Sequence, residues 1–208
     1  IHQMVEKSIK DANEYLSSLT KETRTTLDVV IASKTKSSWY AHLGDGRIYA
    51  VMDTGIRQLT DDESDGSRGP TNYLGAQFVY MKGIEERIMM NEFGKTPKAF
   101  FLTTDGLRSR VPDHYVKKVL LKIKSNPQAL LDELAAQVYV PSFKIRELSS
   151  DRCDELIQVL GREAVDDSQK VDDIIKAYEQ RESKGLVEAV DRLFPFDDVA
   201  MIYVDLED

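Results

Sequence analysis

The apolar positions at the start of the chain repeat with a helical period. Through residue 19 they recur every three or four residues, as on one face of an amphipathic helix. The apolar residues of this face are Met4, Val5, Ile9, Ala12, Tyr15, Leu16 and Leu19. The pattern therefore predicts a helix that packs along one side.

A strand period replaces the helical one after this segment. The β-branched, apolar run at residues 25–32 predicts a buried strand, and four later runs predict further strands. These runs are residues 38–43, 47–53, 84–90 and 98–104. Gly44-Asp45-Gly46 separates the first two of these four runs, and an Asp-Gly pair between strands predicts a hairpin. Residues 60–76 are rich in turn-forming residues and predict a loop.

Helical patterns return in the second half of the chain. One helix is predicted after Pro112, and the next begins at Pro127 with Asn126 as its N-cap. A shorter helical pattern at residues 186–194 leads into a final strand at residues 199–204. The order of elements is therefore helix, several strands, several helices and one last strand.

The segment from about residue 140 to residue 194 differs from the rest by its acidity. Ser150 and Ser168 are predicted to cap two helices, and Gly161 to end the first of them. Residues 147–192 contain 13 acidic and 7 basic residues, a net charge of −6 out of −8 for the whole chain. The acidity is therefore regional, and a charge run of this kind most often lies on a solvated helical face.

The composition limits the class of protein. A chain of 208 residues is long enough for a single domain that needs no disulfide or structural metal for stability. Its 36 acidic and 28 basic residues argue against a nucleic-acid partner. The single cysteine, Cys153, excludes an intramolecular disulfide and a cysteine-based zinc site. No apolar run reaches the 18 or so residues of a membrane span, and no signal peptide is recognisable, so no membrane partner and a cytoplasmic location are predicted.

Three aspartates lie where predicted strands begin or end. They are Asp45, Asp105 and Asp197, and each taken singly is an ordinary turn residue. If the strands of one β-rich domain end at the same edge, however, the three carboxylates form a cluster of oxygen ligands. Such a cluster suits Mg²⁺ or Mn²⁺ better than zinc.

Six short motifs around these aspartates occur in the order of a known family. They are Thr25-Thr26-Leu27, Gly44-Asp45-Gly46-Arg47, Gln58-Leu59-Thr60, Leu74-Gly75, Thr104-Asp105-Gly106-Leu107 and Asp197-Asp198. The series resembles the GTTL, VGDSR, QLT, LG, SDGL and DN motifs of the metal-dependent serine/threonine phosphatases of the PP2C (PPM) family. The resemblance covers about residues 25–204 and implies a single α+β domain over residues 1–208. Its fold would be a four-layer α/β/β/α sandwich of two antiparallel sheets flanked by helices, with a helical insert before the last strand.

The resemblance also implies roles for individual residues. Asp105 and Asp197 match ligands of one of two catalytic ions, Mn²⁺ or Mg²⁺, and Asp45 matches the aspartate of a further, weaker metal site. Arg47 matches an arginine whose role is structural, and residues 60–76 match a flap beside the catalytic cleft. The implied activity is the hydrolysis of phosphoserine and phosphothreonine in a phosphoprotein substrate, by a water molecule that two metal ions activate.

Two motifs of the family have no counterpart in this sequence. The Glu-Asp strand and the Asp-Gly-x-Gly-Gly motif, which carries the bridging metal ligand, precede the helix that leads to GTTL. One interpretation is that the chain lacks these N-terminal strands, which its start at Ile1 favours. The other is a degenerate relative that keeps the scaffold for binding, since Arg24, Gly46 and Asp198 replace a glycine, a serine and an asparagine of the family.

The acidic insert, residues 140–194, also leaves two interpretations open. It is either a solvated helical layer or a docking element for a protein partner with a basic surface. The second interpretation gives the alternative function, a catalytically inactive binding or regulatory module that uses the insert.

Overall fold

The computed structural model describes residues 2–19, 23–61, 73–75, 83–94, 97–122, 126–162, 166–195 and 197–206. The chain forms two compact units, residues 1–104 with 201–208 and residues 105–200. The first unit contains all the described strands, and the described residues of the second form only helices and their connections.

The first unit is built from a long helix and antiparallel sheets. Its elements are α1 (His2–Leu19), β1 (Arg24–Thr25), β2 (Leu27–Ile31), β3 (Ser38–Leu43), β4 (Arg47–Met52), β5 (Gly55–Gln58), β6 (Leu74–Gly75), α2 (Ile84–Arg87), β7 (Met89–Phe93), β8 (Ala99–Thr103) and β9 (Met201–Asp205). In the described part, one sheet has the strand order β2-β3-β7, a second has the order β5-β4-β8-β9, and β1 pairs with β6. Every pairing is antiparallel.

Apolar side chains from both larger sheets share one core. Ile48 and Ala50 of β4 and Phe100 of β8 pack with Phe93 of β7, and Val30 of β2 contacts the same cluster. Alternation along each strand directs these side chains to one face. The two sheets are therefore layered face to face within this unit.

Helix α1 covers the other face of the three-stranded sheet. Ile9 of α1 is buried against Ala41 and Leu43 of β3, with Val5 and Leu16 packed at the margin. The predicted helix is confirmed, but its predicted apolar face is confirmed only in part, because Met4, Ala12, Tyr15 and Leu19 are exposed. The fold class is α+β, two antiparallel sheets flanked by helices, as the sequence predicts.

The second unit consists of seven described helices. They are α3 (Asp105–Arg110), α4 (Asp113–Lys122), α5 (Pro127–Tyr139), α6 (Ser142–Arg146), α7 (Ser150–Leu160), α8 (Asp167–Glu179) and α9 (Lys184–Leu193). Helices α6 to α9 belong to the predicted insert and close a hydrophobic core of their own. Cys153, Leu156, Ile174, Leu186 and Val190 are among its fully buried residues.

The helix termini test the predicted caps. The Asn126 side chain accepts a hydrogen bond from the Ala129 amide, and Pro127 is the first helical residue, as predicted. Gly161 ends α7 in the left-handed conformation, also as predicted. The predicted caps Ser150 and Ser168 are both wrong. Ser149 is the N-cap of α7, and at the start of α8 the Asp166 side chain accepts the hydrogen bond from the Gln169 amide.

Two predictions for the first unit are also wrong. Residues 84–90 are not one strand but α2 followed by β7, which continues to Phe93. Gly44-Asp45-Gly46 does not close a hairpin, since in the described part β3 pairs only with β2 and β7, while β4 pairs with β5 and β8. The Gly-Asp-Gly segment is instead the turn by which the chain passes from one sheet to the other.

Within the part of the chain that the structure describes, no helix combines the length and the apolar character needed to cross a membrane.

Candidate functional site

The predicted ligand Asp105 begins helix α3. Strand β8 ends at Thr103, and the helix starts two residues later with Asp105 in its first turn. The Asp105 side chain is half-buried, whereas Gly106 and Leu107 behind it are buried. The helix N-terminus therefore presents this carboxylate at the surface of the second unit.

The segment that carries Asp197 lies directly against the start of α3. A Cβ atom placed on Gly106 would lie 2.6 Å from the carbonyl oxygen of Asp198 and 3.1 Å from that of Asp197. Only glycine permits this approach, because the neighbouring atoms are backbone and cannot turn aside. The structure thus brings the backbones that carry Asp105 and Asp197 into contact.

The two segments stay side by side for a further turn of α3. The Ser109 hydroxyl donates to the Gly106 carbonyl oxygen at 2.7 Å and lies 3.5 Å from the carbonyl oxygen of Pro195. Beyond it, Arg110 Nη2 lies 3.1 Å from Asp191 Oδ1. Later residues of α3 contact earlier residues of the segment that ends at Asp198, so the two segments are antiparallel.

Asp45 lies in the turn between β3 and β4 of the first unit. The side chain is 7% exposed, and the turn is held by Gly44, whose φ of 126° suits glycine. A Cβ on Gly44 would overlap the side chain of Thr26. The convergence of Asp45 with Asp105 and Asp197 stays a prediction.

A buried carboxylate–imidazole pair beside this turn was missed in the sequence. Asp28 of β2 and His42 of β3 are directly opposite each other, and Asp28 Oδ1 lies 2.7 Å from His42 Nδ1. The His42 side chain is fully buried and that of Asp28 is 18% exposed. A polar residue at 28 in an otherwise apolar strand was the available signal, but finding its partner requires the register of the two strands.

The same carboxylate explains the glycine at position 46. A Cβ on Gly46 would overlap Asp28 Oδ2 and lie 3.3 Å from the Thr103 carbonyl oxygen. The Asp28 side chain therefore occupies the space that a serine side chain would need after Asp45. Gly46 therefore leaves room for the Asp28 carboxylate.

The donor chemistry fits a hard divalent cation only in part. Asp105 and Asp197 supply carboxylate oxygens, which Mg²⁺ and Mn²⁺ prefer. Among the residues with described positions, however, no group of three or more His, Cys, Asp or Glu is arranged to hold a metal ion. The assignment of Asp105 and Asp197 as two ligands of one ion stays a prediction.

The predicted flap falls largely outside the described residues. Of residues 60–76, the structure describes 60–61 and 73–75. The Thr60 hydroxyl is buried and accepts a hydrogen bond from the Ile48 amide, which fixes the start of the segment. At its other end, the Gly75 amide donates to Asn13 Oδ1 of α1 at 2.9 Å.

The single cysteine lies in the core of α6 to α9. Cys153 is 2% exposed, and burial raises the pKa of its thiol. A raised pKa keeps the sulfur protonated and weakly nucleophilic at neutral pH. The residue is part of the helical core.

These features agree with the result of a family comparison. The family model of protein phosphatase 2C matches residues 1–144, more than half of the chain. The chain therefore belongs to the protein phosphatase 2C family. The matched region includes Asp45 and Asp105, whereas Asp197 lies beyond it.

Solved structures of bacterial proteins share the fold. The serine/threonine phosphatase Stp1 from Staphylococcus aureus is 21% identical with a TM-score of 0.54, over 67% of this chain and 62% of that one. PppA of Pseudomonas aeruginosa, described as a regulatory component of its T6SS, is 19% identical with a TM-score of 0.52, over 64% and 60% of the two chains. The present chain thus spans about three fifths of these relatives. No curated protein sequence matches it.

Proposed function

We propose that the chain is the catalytic region of a metal-dependent protein phosphatase that hydrolyses phosphoserine and phosphothreonine. Membership of the protein phosphatase 2C family supports this proposal. The observation that carries it is the contact between Gly106 and the carbonyl groups of Asp197 and Asp198, because it joins the backbones of the segments that carry two potential ligands of one ion. The substrate is a phosphoprotein, and the reducing cytoplasm suits a chain with a single, buried cysteine.

The residues contribute negative charge and position. Asp105 and Asp197 would hold a Mn²⁺ or Mg²⁺ ion through carboxylate oxygens, and Asp45 would serve a further ion. When bound, the divalent ions supply an activated water and neutralise charge on the phosphoryl group. The close contact of Gly106 with the backbone of Asp197 and Asp198 constrains the backbone at the start of α3, from which Asp105 would reach the ion.

The test is turnover of a phosphothreonine peptide with Mn²⁺. We expect Asp105→Asn to lower kcat/KM by at least about 100-fold, because weakened ion binding removes several kcal/mol of transition-state stabilisation. Asp113→Asn is the matched control, since Asp113 pairs with Lys117 on α4 and lies outside the aspartate segments. Excess chelator should abolish turnover by the parent chain.

Activity that survives both the chelator and Asp105→Asn would refute the proposal. A chain that binds Mn²⁺ but turns over no phosphopeptide would favour action on another phosphomonoester, which p-nitrophenyl phosphate would detect.

The second candidate is a non-catalytic binding module. One observation favours it, namely that α6 to α9 form a compact core and leave acidic residues such as Asp151 and Glu179 exposed. This function predicts no turnover with any divalent metal. It also predicts binding of a basic protein partner that depends on these acidic residues and is screened by salt.

A further inference from the structure

Arg110 at the end of α3 is a fully buried cation in the second unit. Its side chain is 1% exposed, and among the described residues it is the largest side chain buried to this degree. Burying a guanidinium is costly unless opposite charge and hydrogen-bond acceptors accompany it. The groups around Arg110 therefore show what its burial serves.

Two of those groups come from the insert. Arg110 Nη2 donates to Asp191 Oδ1 of α9 at 3.1 Å, and Nη1 lies 3.3 Å from the Tyr178 hydroxyl of α8. The Tyr178 hydroxyl in turn donates to the same Asp191 oxygen at 2.7 Å. Nη1 also points to the carbonyl oxygen of Val138 in α5, at 3.4 Å. We call Arg110, Tyr178 and Asp191 the clasp.

The clasp joins the two segments that carry the candidate ligands at the end away from those ligands. Asp105 and Arg110 are the first and last residues of α3, and Asp191 lies six residues before Asp197. Gly106 touches the backbone of Asp197 at one end, and the clasp joins Arg110 to Asp191 at the other. A shift of α9 along α3 would therefore change the separation of the two carboxylates.

We propose that Arg110 is a positioning residue which, through Asp191 and Tyr178 of the insert, sets the spacing of Asp105 and Asp197. The insert is then an internal support of the aspartate pair and cannot be removed without loosening it. The effect on metal binding rests on the proposed function, whereas the effect on the pairing of the two segments does not.

The test compares two aspartates of the insert. Asp191→Asn removes the charge that faces Arg110. Asp172→Asn is the matched control, because Asp172 also pairs with an arginine, Arg146, at 2.8 Å, but both side chains are more than half exposed. Tyr178→Phe is a milder variant that removes only one hydroxyl group and keeps the packing of α8.

The test needs two measurements, the affinity for Mn²⁺ and the rate of backbone hydrogen exchange. We expect Asp191→Asn to weaken Mn²⁺ binding by about tenfold, measured by calorimetry, as outer-shell substitutions do. The Mn²⁺ concentration for half-maximal turnover should rise in parallel, with kcat at saturating Mn²⁺ largely kept. Hydrogen exchange should become faster in residues 105–111 and 195–200, and Asp172→Asn should change neither quantity.

The outcomes separate the two proposals. If the parent chain neither binds Mn²⁺ nor turns over substrate, the proposed function fails, and exchange in residues 105–111 and 195–200 still decides the clasp. If Asp191→Asn and Tyr178→Phe leave both exchange and Mn²⁺ binding unchanged, Arg110 has no positioning role. Should Asp191→Asn fail to fold, Tyr178→Phe alone decides, with a smaller change of about threefold in Mn²⁺ affinity expected for one lost hydrogen bond.

Discussion

The turn that carries Asp45 and the paired segments that carry Asp105 and Asp197 are held in different ways. Strands β3 and β4 on either side of Asp45 each have two hydrogen-bonded neighbours, so backbone ladders fix the turn. Helix α3 has only six residues, and residues 194–200 form no regular structure where they are described. In this second region, the contact at Gly106 and the clasp hold the two segments together, in place of backbone hydrogen-bond ladders.

This difference in how the two regions are held indicates which part of the candidate site is most easily disturbed. A turn between two central strands moves only if the sheets around it move. The pairing of α3 with residues 191–198 depends on a few side chains, one of which is 81 positions away from its partner. Substitutions of comparable size should therefore loosen the second region more than the first, and the following predictions test this order.

The largest effect is expected from Gly106→Ala. The added methyl group would lie 2.6 Å from the Asp198 carbonyl oxygen, and neither backbone can yield without separating the paired segments. We expect a loss of about 2–3 kcal/mol of stability, typical of overpacking, together with weakened Mn²⁺ binding. Urea denaturation and calorimetry measure the two quantities.

Gly185→Ala is the control for this substitution. Gly185 lies in α9 of the same unit, and its added methyl would meet two side chains rather than backbone, Val159 at 3.3 Å and Ser183 at 3.8 Å. Because alanine favours a helix by about 1 kcal/mol over glycine, this variant should be neutral or stabilising. Equal losses in both variants would show that the Gly106 contact has no special role.

The comparison is sharpened in the first unit by Gly46→Ser. The serine side chain would collide with the Asp28 carboxylate, so we expect a cost of about 1–2 kcal/mol in the parent chain. In an Asp28→Ala background the carboxylate is gone and the Thr103 carbonyl oxygen at 3.3 Å remains, so the same substitution should cost much less. A double-mutant cycle by urea denaturation measures the coupling.

Gly94→Ser is the control for that cycle, since a Cβ on Gly94 meets nothing within 4 Å. Its cost should be the same whether residue 28 is Asp or Ala. If Gly46→Ser shows no coupling to residue 28 either, then Asp28 does not explain the glycine at position 46.

Local signals account for the parts of the fold that the sequence predicts well. The helical period of α1 and the Asn126-Pro127 start of α5 depend only on neighbouring residues, and the structure confirms both. The sequence predicts the turn at Asp45 but not which strands pair on either side of it. A Gly-Asp-Gly segment can join two paired strands or, as here, two strands of different sheets.

The contacts that organise the candidate site join residues that are far apart in the sequence. Arg110 is indistinguishable in sequence from an exposed basic residue at a helix end, and only the fold places Tyr178 and Asp191 around it. Asp28 and His42 are paired by strand register, which single-residue patterns do not contain. Side-chain contacts between residues far apart in the sequence are therefore the part of the site that could not be predicted.

The smallest expected effect separates the stability of the insert from the clasp. Asp166→Ala removes the side chain that accepts the Gln169 amide at the start of α8, which should cost about 1 kcal/mol. Ser168→Ala, two residues later, should cost little, because Ser168 does not cap the helix. Neither variant alters Tyr178 at the far end of α8, so Mn²⁺ affinity should stay at the parent value while the urea midpoint of Asp166→Ala falls. A loss of affinity in proportion to stability would mean that the insert acts through its general rigidity, and that Arg110 is one contact among many.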